Sequence, residues 1–334
     1  MQNLASLPAY EEAERISTEE IPVIDIRGLR LGTPGRRQAV AAEIARACET
    51  VGFLYIADHG VPQGLIDDTF AQNAAFFAQS MEDRMKSAAT LEHWRGYVPA
   101  KLEGEGGGVG GTIETYRLML DLPPDDADVR MGKPMHMPNR WADHLPGFRA
   151  TVGAYMDAMM ALSVHLRHGF ALGLGLPEEW FDPYYNRPLI QQSLLHYRPA
   201  RSSNPADAEI GSGEHKDSGA FTILMQDDVG GLEVGHLQHR WVAAPPIPGT
   251  YIINIGDMME RWTNGRFIST NHRVVNRAQR PRYSLPFFAN PDYEAIIAPI
   301  PSLVTPGTSA AYPPLHFGEF MERFYDHGMA YLRR

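Results

Sequence analysis

Two histidines and an aspartate carry the chemistry that the residue types of this chain make available. His215 and Asp217 stand two apart in Gly213-Glu214-His215-Lys216-Asp217-Ser218-Gly219, and His272 follows in Thr270-Asn271-His272-Arg273-Val274. On an extended strand residues i and i+2 share a face, so an imidazole and a carboxylate at that spacing converge while Lys216 points away. Two imidazoles and one carboxylate on one side of a metal leave three octahedral positions open, which is the donor set of non-haem Fe(II) oxygenases. A His-x-Asp pair alone reads first as two surface polar groups at a strand end. The distal His272, followed by Arg282-Tyr283-Ser284, overturns that bland reading.

Arg282 and Ser284 again share a face. A guanidinium fork takes a carboxylate through two hydrogen bonds, and a hydroxyl adds a third. Tyr197, just ahead of Arg198-Pro199, can add a phenol. A dicarboxylate such as 2-oxoglutarate would then meet the metal with its keto-acid end and Arg282 with its far end. Taken alone, an arginine is usually a surface ion-pair partner. Asp257 tempts as a fourth ligand, but open metal positions are needed for O2 and co-substrate, so it is read as a turn residue satisfying backbone groups. His236 and His239 fall at an expected hairpin tip, and His165 and His168 on a helix; all four are read as surface or internally satisfied histidines. His196 either lines the pocket or faces the opposite side of its strand.

The elements that must position these groups come in two textures. The first half reads mainly helical. A short strand at Ile21-Pro22-Val23-Ile24-Asp25-Ile26 precedes a helix over residues 36–50, whose stripe is Val40, Ile44 and Ala47. A second strand covers Gly52-Phe53-Leu54-Tyr55-Ile56, and a second helix residues 62–79. Phe148, Val152, Tyr155, Met159, Leu162, Leu166 and Phe170 recur in steps of three and four, which predicts a long amphipathic helix stopping near Gly173-Leu174-Gly175. From Leu189 onward, short β-rich runs alternate with turns at residues 191–197, 221–225, 231–234, 251–255, 273–276 and 283–288. That pattern predicts an antiparallel barrel or jelly roll, and with the helices an α+β whole. Asn264-Gly265 is a hairpin signal ahead of His272. Residues 317–332 read helical. The chain is divided into residues 1–185, helical with strands, and residues 186–334, the β-core with its terminal helix, together forming one unit. The glycine-rich residues 104–111 read either as a surface loop or as a lid over the site; no Gly-Lys-Ser/Thr follows to make a phosphate loop.

Composition closes off other classes. A net charge of −10 and no basic stripe with interleaved aromatics argue against nucleic acid. No apolar run of about 18 residues exists to span a membrane, and Met1-Gln2-Asn3-Leu4 opens no secretory signal, so a cytoplasmic location is expected. Cys48, the single cysteine, lies in an apolar helical pattern and is read as a buried small hydrophobe.

The chain resembles the isopenicillin N synthase-like iron(II)/2-oxoglutarate-dependent oxygenases over nearly its whole length. The likeness rests on Ile21-Pro22-Val23-Ile24-Asp25, on Gly52-Phe53-Leu54-Tyr55-Ile56-Ala57-Asp58-His59-Gly60-Val61 and on the run from Phe221 to Val234. It continues through Asn254-Ile255-Gly256-Asp257, Thr263-Asn264-Gly265 and Ser269-Thr270-Asn271-His272-Arg273-Val274. It implies a distorted double-stranded β-helix (jelly-roll) core flanked by helices, Fe(II) at His215, Asp217 and His272, and 2-oxoglutarate at Arg282, Ser284 and Tyr197. It also implies a dioxygenase that uses O2 to hydroxylate, desaturate or cyclise a small molecule, releasing succinate and CO2. Two departures stand out: Lys216 replaces a frequent threonine, and Leu195 stands where many plant members carry asparagine. Arg117, Tyr116, Tyr97, Phe221 and Phe288 are the expected substrate wall. Two other readings stay open: a 2-oxoglutarate-independent oxidase of the same fold, with Arg282 on a substrate carboxylate, and a non-catalytic small-molecule binding module.

Overall fold

The computed structural model describes residues 21–90, 93–100, 113–202, 204, 208–235 and 240–328. The N-terminal half runs β1 (Val23–Asp25), α1 (Arg27–Leu31), α2 (Pro34–Thr50), β2 (Phe53–Ala57), α3 (Gln63–Phe77), α4 (Met81–Met85), β3 (Gly96–Val98), β4 (Ile113–Met119), α5 (Ala127–Arg130) and α6 (Phe148–Gly173). The second half adds β5 (Gln191–Tyr197), β6 (Glu209–His215), β7 (Phe221–Gln226), β8 (Leu232–Gly235), β9 (Trp241–Ala243), β10 (Thr250–Ile255), α7 (Asp257–Trp262), β11 (His272–Asn276), β12 (Arg282–Phe288), the short pair β13 (Ile296–Ile297) and β14 (Leu315–His316), and α8 (Phe317–Gly328).

Eight strands form the large sheet in the order β1-β2-β10-β7-β12-β5-β4-β3, and four form the small one, β6-β11-β8-β9. Apart from the parallel β1–β2 pair, every pairing in both sheets is antiparallel. This is the jelly-roll core with flanking helices, an α+β fold. The large sheet draws strands from both sides of residue 185. Strands β3 and β4 lie in the half that reads as mainly helical; residues 104–111, read as a surface loop or a lid, lie outside the described residues.

Alternation along the strands divides the large sheet into two faces. Tyr116, Leu118, Leu194, Ile223, Ile253, Leu285 and Phe287 point outward and join the buried faces of α2, α3 and α6 in one apolar core. Every residue of the α6 stripe is buried, from Phe148 to Phe170. Gly173 lets α6 approach α2 closely, since a Cβ there would sit 2.6 Å from the Ala41 carbonyl. Phe76, Tyr97, Tyr116 and Phe148 form an aromatic cluster with centroid distances of 4.6–5.7 Å. Removing one such ring costs about 3–5 kcal/mol, which is ample to fix the register of β4. Cys48 is fully buried, and burial pushes its thiol pKa up.

Asn264-Gly265 makes no β-hairpin. Both residues have positive φ and end α7, with the Gly265 amide reaching back to the Glu260 carbonyl at 2.8 Å. The same left-handed preference that favours Asn-Gly in hairpins here closes a helix. No helix among the described residues is long and apolar enough to cross a membrane.

Candidate active site

The small sheet brings the two histidines together. Strands β6 and β11 are antiparallel, with His215 directly opposite His272, and their rings lie 4.2 Å apart. Strand β6 ends at His215, so Asp217 sits beyond the ladder, and the irregular backbone after the strand rather than its alternation aims it inward. The Asp257 amide holds the Asp217 carbonyl at 2.8 Å. Gly256 permits that approach, because a Cβ there would meet the Gly219 carbonyl at 2.4 Å. Lys216 points away, towards Glu260.

Hydrogen bonds settle which atoms face inward. His215 Nδ1 lies 2.7 Å from the Gly213 carbonyl and His272 Nδ1 3.2 Å from the Thr270 carbonyl. Carbonyls only accept, so each Nδ1 carries the proton and each Nε2 keeps its lone pair. Those Nε2 atoms stand 3.8 and 3.7 Å from Asp217 Oδ1. The other carboxylate oxygen, Oδ2, accepts from Thr222 Oγ1 at 2.5 Å and Asn254 Nδ2 at 2.6 Å. The three donor atoms therefore gather within 4.8 Å of one another. Burial lowers the His272 pKa against the pull of Asp217, which favours the neutral, ligating form. Burial acts to raise the Asp217 pKa, but the two histidines and the Thr222 and Asn254 bonds outweigh it, so the carboxylate stays ionised. Two neutral imidazoles and one anionic oxygen fit a divalent non-haem iron. The Asp257 carboxylate stands apart and accepts from Ser269 Oγ at 2.8 Å.

The triad opens into a cavity of about 230 Å³ between the sheets. At one end lies Arg282, fully buried. Its Nε donates to the Gly230 carbonyl at 2.5 Å, Nη2 to Gln226 Oε1 at 3.1 Å and Nη1 to Ser284 Oγ at 3.3 Å. Its guanidinium stacks 4.5 Å from the Tyr197 ring, whose residue pairs with Arg282 across β5–β12. Every described acceptor is a neutral oxygen, so no carboxylate among the described residues hydrogen-bonds the guanidinium. Gly211 presses against Tyr197 from the small sheet; a Cβ would come within 2.2 Å of the ring. Leu195 contributes an apolar wall here.

Of the expected substrate wall, Arg117 and Phe288 line the cavity. Tyr116, Tyr97 and Phe221 do not. Tyr116 points into the helical layer, where its hydroxyl donates to the Arg140 carbonyl. Tyr97 reaches Glu114 on that same outer face at 2.5 Å. Phe221 meets the α6 ring Phe170 at 5.1 Å. The reason is the two-residue period: Thr115 and Arg117 face inward on β4 while Glu114 and Tyr116 face out, and Thr222 faces inward where Phe221 cannot. Size and aromaticity favoured the wrong neighbours. Gln191, Ser193, Thr222 and Asn254 also line the cavity and were missed; strict alternation along β5 and β7 would have flagged the first three. His196 faces outward, bonded to Glu114 at 2.9 Å and stacked between Phe77 and Tyr283. His168 contacts Asp182 and Glu178. His236 and His239 lie outside the described residues.

Comparison with known proteins agrees with this chemistry. Residues 21–144 match the family described as non-haem dioxygenase in morphine synthesis N-terminal, and residues 189–291 match the 2OG-Fe(II) oxygenase superfamily. A probable iron/ascorbate oxidoreductase of Dictyostelium discoideum is 34% identical over 311 residues, covering 84% of each chain. A 2-oxoglutarate-Fe(II) type oxidoreductase of Metarhizium majus is 35% identical over 289 residues, 80% of this chain and 77% of its own. Among solved structures, a full-length Neurospora crassa protein in complex with alpha-KG superposes with a TM-score of 0.82 at 26% identity, over 94% of this chain and 99% of that one. Sequence likeness along four-fifths of the chain thus joins the facing sheets and their cavity in one conclusion: the chain belongs to the 2OG-Fe(II) oxygenase superfamily, and is an Fe(II)- and 2-oxoglutarate-dependent oxidoreductase of small molecules.

Proposed function

We propose that His215, Asp217 and His272 are the protein ligands of Fe(II), that Arg282, Ser284 and Tyr197 receive the far carboxylate of 2-oxoglutarate, and that the substrate lies beside Phe288 and Arg117. The observation that carries the co-substrate assignment is the Arg282 guanidinium, buried in the same cavity as the triad and hydrogen-bonded to no carboxylate among the described residues. A buried charge is stable only when it is paired or well hydrogen-bonded, and three neutral oxygens leave this one suited to an incoming carboxylate.

Bound iron supplies the O2 chemistry that couples decarboxylation of 2-oxoglutarate, to succinate and CO2, with oxidation of the substrate. The protein's share is positioning. Thr222 and Asn254 hold one oxygen of Asp217 so that the other stays presented. The Gly213 and Thr270 carbonyls fix both imidazole tautomers. Ile113, Leu195, Leu224 and Pro286 give the cavity apolar walls that limit water around the reacting groups. We read residues 186–334 as the source of all iron and co-substrate residues, and residues 1–185 as the source of one substrate wall through β4, within one folding unit.

The test is iron content together with succinate release. Asp217→Ala and His272→Ala should each lose iron and abolish 2-oxoglutarate turnover while keeping wild-type circular dichroism. A variant that retains iron and rate would remove that residue from the ligand set.

A further inference from the structure

The cavity carries a second guanidinium, which the co-substrate reading does not use. Arg117 on β4 pairs with Ser193 on β5, whereas Arg282 on β12 pairs with Tyr197 on β5. Four residues of strand separate those levels, roughly 14 Å at about 3.4 Å per residue. The two arginines thus stand at opposite ends of the space. The triad's support lies one inward position beyond the level of Arg117: Met119 pairs with Gln191, Gln191 with Phe288, and Phe288 with Thr222, the residue bonded to Asp217.

Arg117 is held but not neutralised. Nη1 donates to the Trp94 carbonyl at 3.3 Å, and the guanidinium lies 4.9 Å from the Tyr325 ring of α8. Its Nε is buried and has no acceptor, and no described carboxylate pairs with it. Beside it, Gln191 Nε2 donates to Ser193 Oγ at 2.8 Å, while Gln191 Oε1 accepts the Tyr325 hydroxyl. With its acceptor side so engaged, the Ser193 hydroxyl has a proton to give into the cavity. A guanidinium with an adjacent hydroxyl donor repeats, at this end, the Arg282–Ser284 arrangement at the other. One fork matches one carboxylate. Phosphate, with up to two charges, would call for a second cation, and the described lining offers none at this level.

We infer that Arg117, assisted by Ser193, receives a carboxylate of the primary substrate, which makes that substrate a small carboxylic acid whose oxidised carbon lies towards the triad; this rests on the assignment of Arg282 to 2-oxoglutarate. A cationic substrate is disfavoured by the same charge.

The test is binding by calorimetry under nitrogen to protein saturated with Fe(II) and 2-oxoglutarate. The probes are monocarboxylic acids of about five to ten carbons, aliphatic and aromatic, each paired with its primary amide. At least one acid should bind the wild type tenfold or more tightly than its amide. Arg117→Met should weaken that acid by about 30-fold or more, the scale expected when one partner of a desolvated charge pair is truncated. Arg117→Lys should restore part of the loss, and both variants should bind 2-oxoglutarate within twofold of wild type. Acids that bind no better than their amides, or acid binding unmoved by Arg117→Met, overturn the inference. Arg282→Met separates the two assignments. If it leaves 2-oxoglutarate affinity intact while acid binding still depends on Arg117, the co-substrate assignment alone fails. If 2-oxoglutarate affinity instead falls in Arg117→Met, the two ends are reversed and the inference fails with it.

Discussion

Replacing Arg282 by lysine retains the charge and removes the geometry. The guanidinium sends three bonds in three directions, to Gly230, Gln226 and Ser284, while its face lies on Tyr197. One ammonium cannot reproduce that spread. It leaves at least one buried acceptor unpaired and offers a carboxylate one strong bond where the fork offers two. Losing one hydrogen bond to a charged group costs about 1.5–3 kcal/mol, and tenfold in affinity is about 1.4 kcal/mol. Arg282→Lys should therefore raise the KM for 2-oxoglutarate by about 10–150-fold, with a smaller effect on the KM of the primary substrate. Ser284→Ala removes a single hydroxyl bond to the carboxylate, at the low end of that range, about 1.5 kcal/mol or roughly tenfold, and Tyr197→Phe should resemble it. The assay is the initial rate of succinate formation against 2-oxoglutarate concentration for the three variants, with equilibrium binding of 2-oxoglutarate as a check on KM. Two results refute the reasoning: wild-type turnover without 2-oxoglutarate, or an Arg282→Lys enzyme altered only in its affinity for the primary substrate. Either would hand Arg282 to the substrate.

Two further perturbations probe the supports of the cavity. Asn254→Ala removes a 2.6 Å bond from Asp217 Oδ2; losses of this kind weaken metal affinity by about 10–100-fold, measurable by competition with a chelator, and unchanged affinity would show that Thr222 alone orients the carboxylate. Glu114 lies behind the cavity wall, bonded to Tyr97, His196 and Arg84. Burial acts to raise its pKa, but the His196 and Tyr97 bonds and the Arg84 charge hold it at about 2, below its ordinary 4.5. A depressed carboxyl stabilises the fold above its unfolded pKa and loses that contribution as pH falls through the folded value. The thermal midpoint should thus decline between about pH 4.5 and 2 more steeply in wild type than in Glu114→Gln; parallel declines would remove Glu114 from the acid response.

The triad and the arginine end were legible in the sequence because their signal is a spacing. Arg282-x-Ser284 needs only the extended backbone of β12 to be read, whereas His215-x-Asp217 was legible as a spacing although Asp217 is aimed inward from beyond the end of β6. The wall was less legible, since it depends on which parity of each strand faces inward, and parity is set by pairing. Nothing local to Glu114-Thr115-Tyr116-Arg117 says that Thr115 and Arg117 face the cavity. That is decided by the ladder to Leu195 and Ser193 and by the aromatic seam that claims Tyr116. Strand β4 itself was hidden beside a helical stretch. Asn254, 37 residues from Asp217 in sequence, was visible only as part of a motif, and its bond to the carboxylate needed the fold.

The two-sided character of β4 also bears on how such an enzyme changes its diet. Positions 113, 115 and 117 line the cavity; positions 114, 116 and 118 are tied to the helical layer. Substitution at the first set can alter selectivity without taxing the scaffold, so mutational libraries belong there. Inserting or deleting one residue within the strand would present Tyr116 to the cavity and bury Arg117 against aromatics. Lineages of this fold should therefore explore new substrates by point changes within β4, and leave changes in length outside the strand.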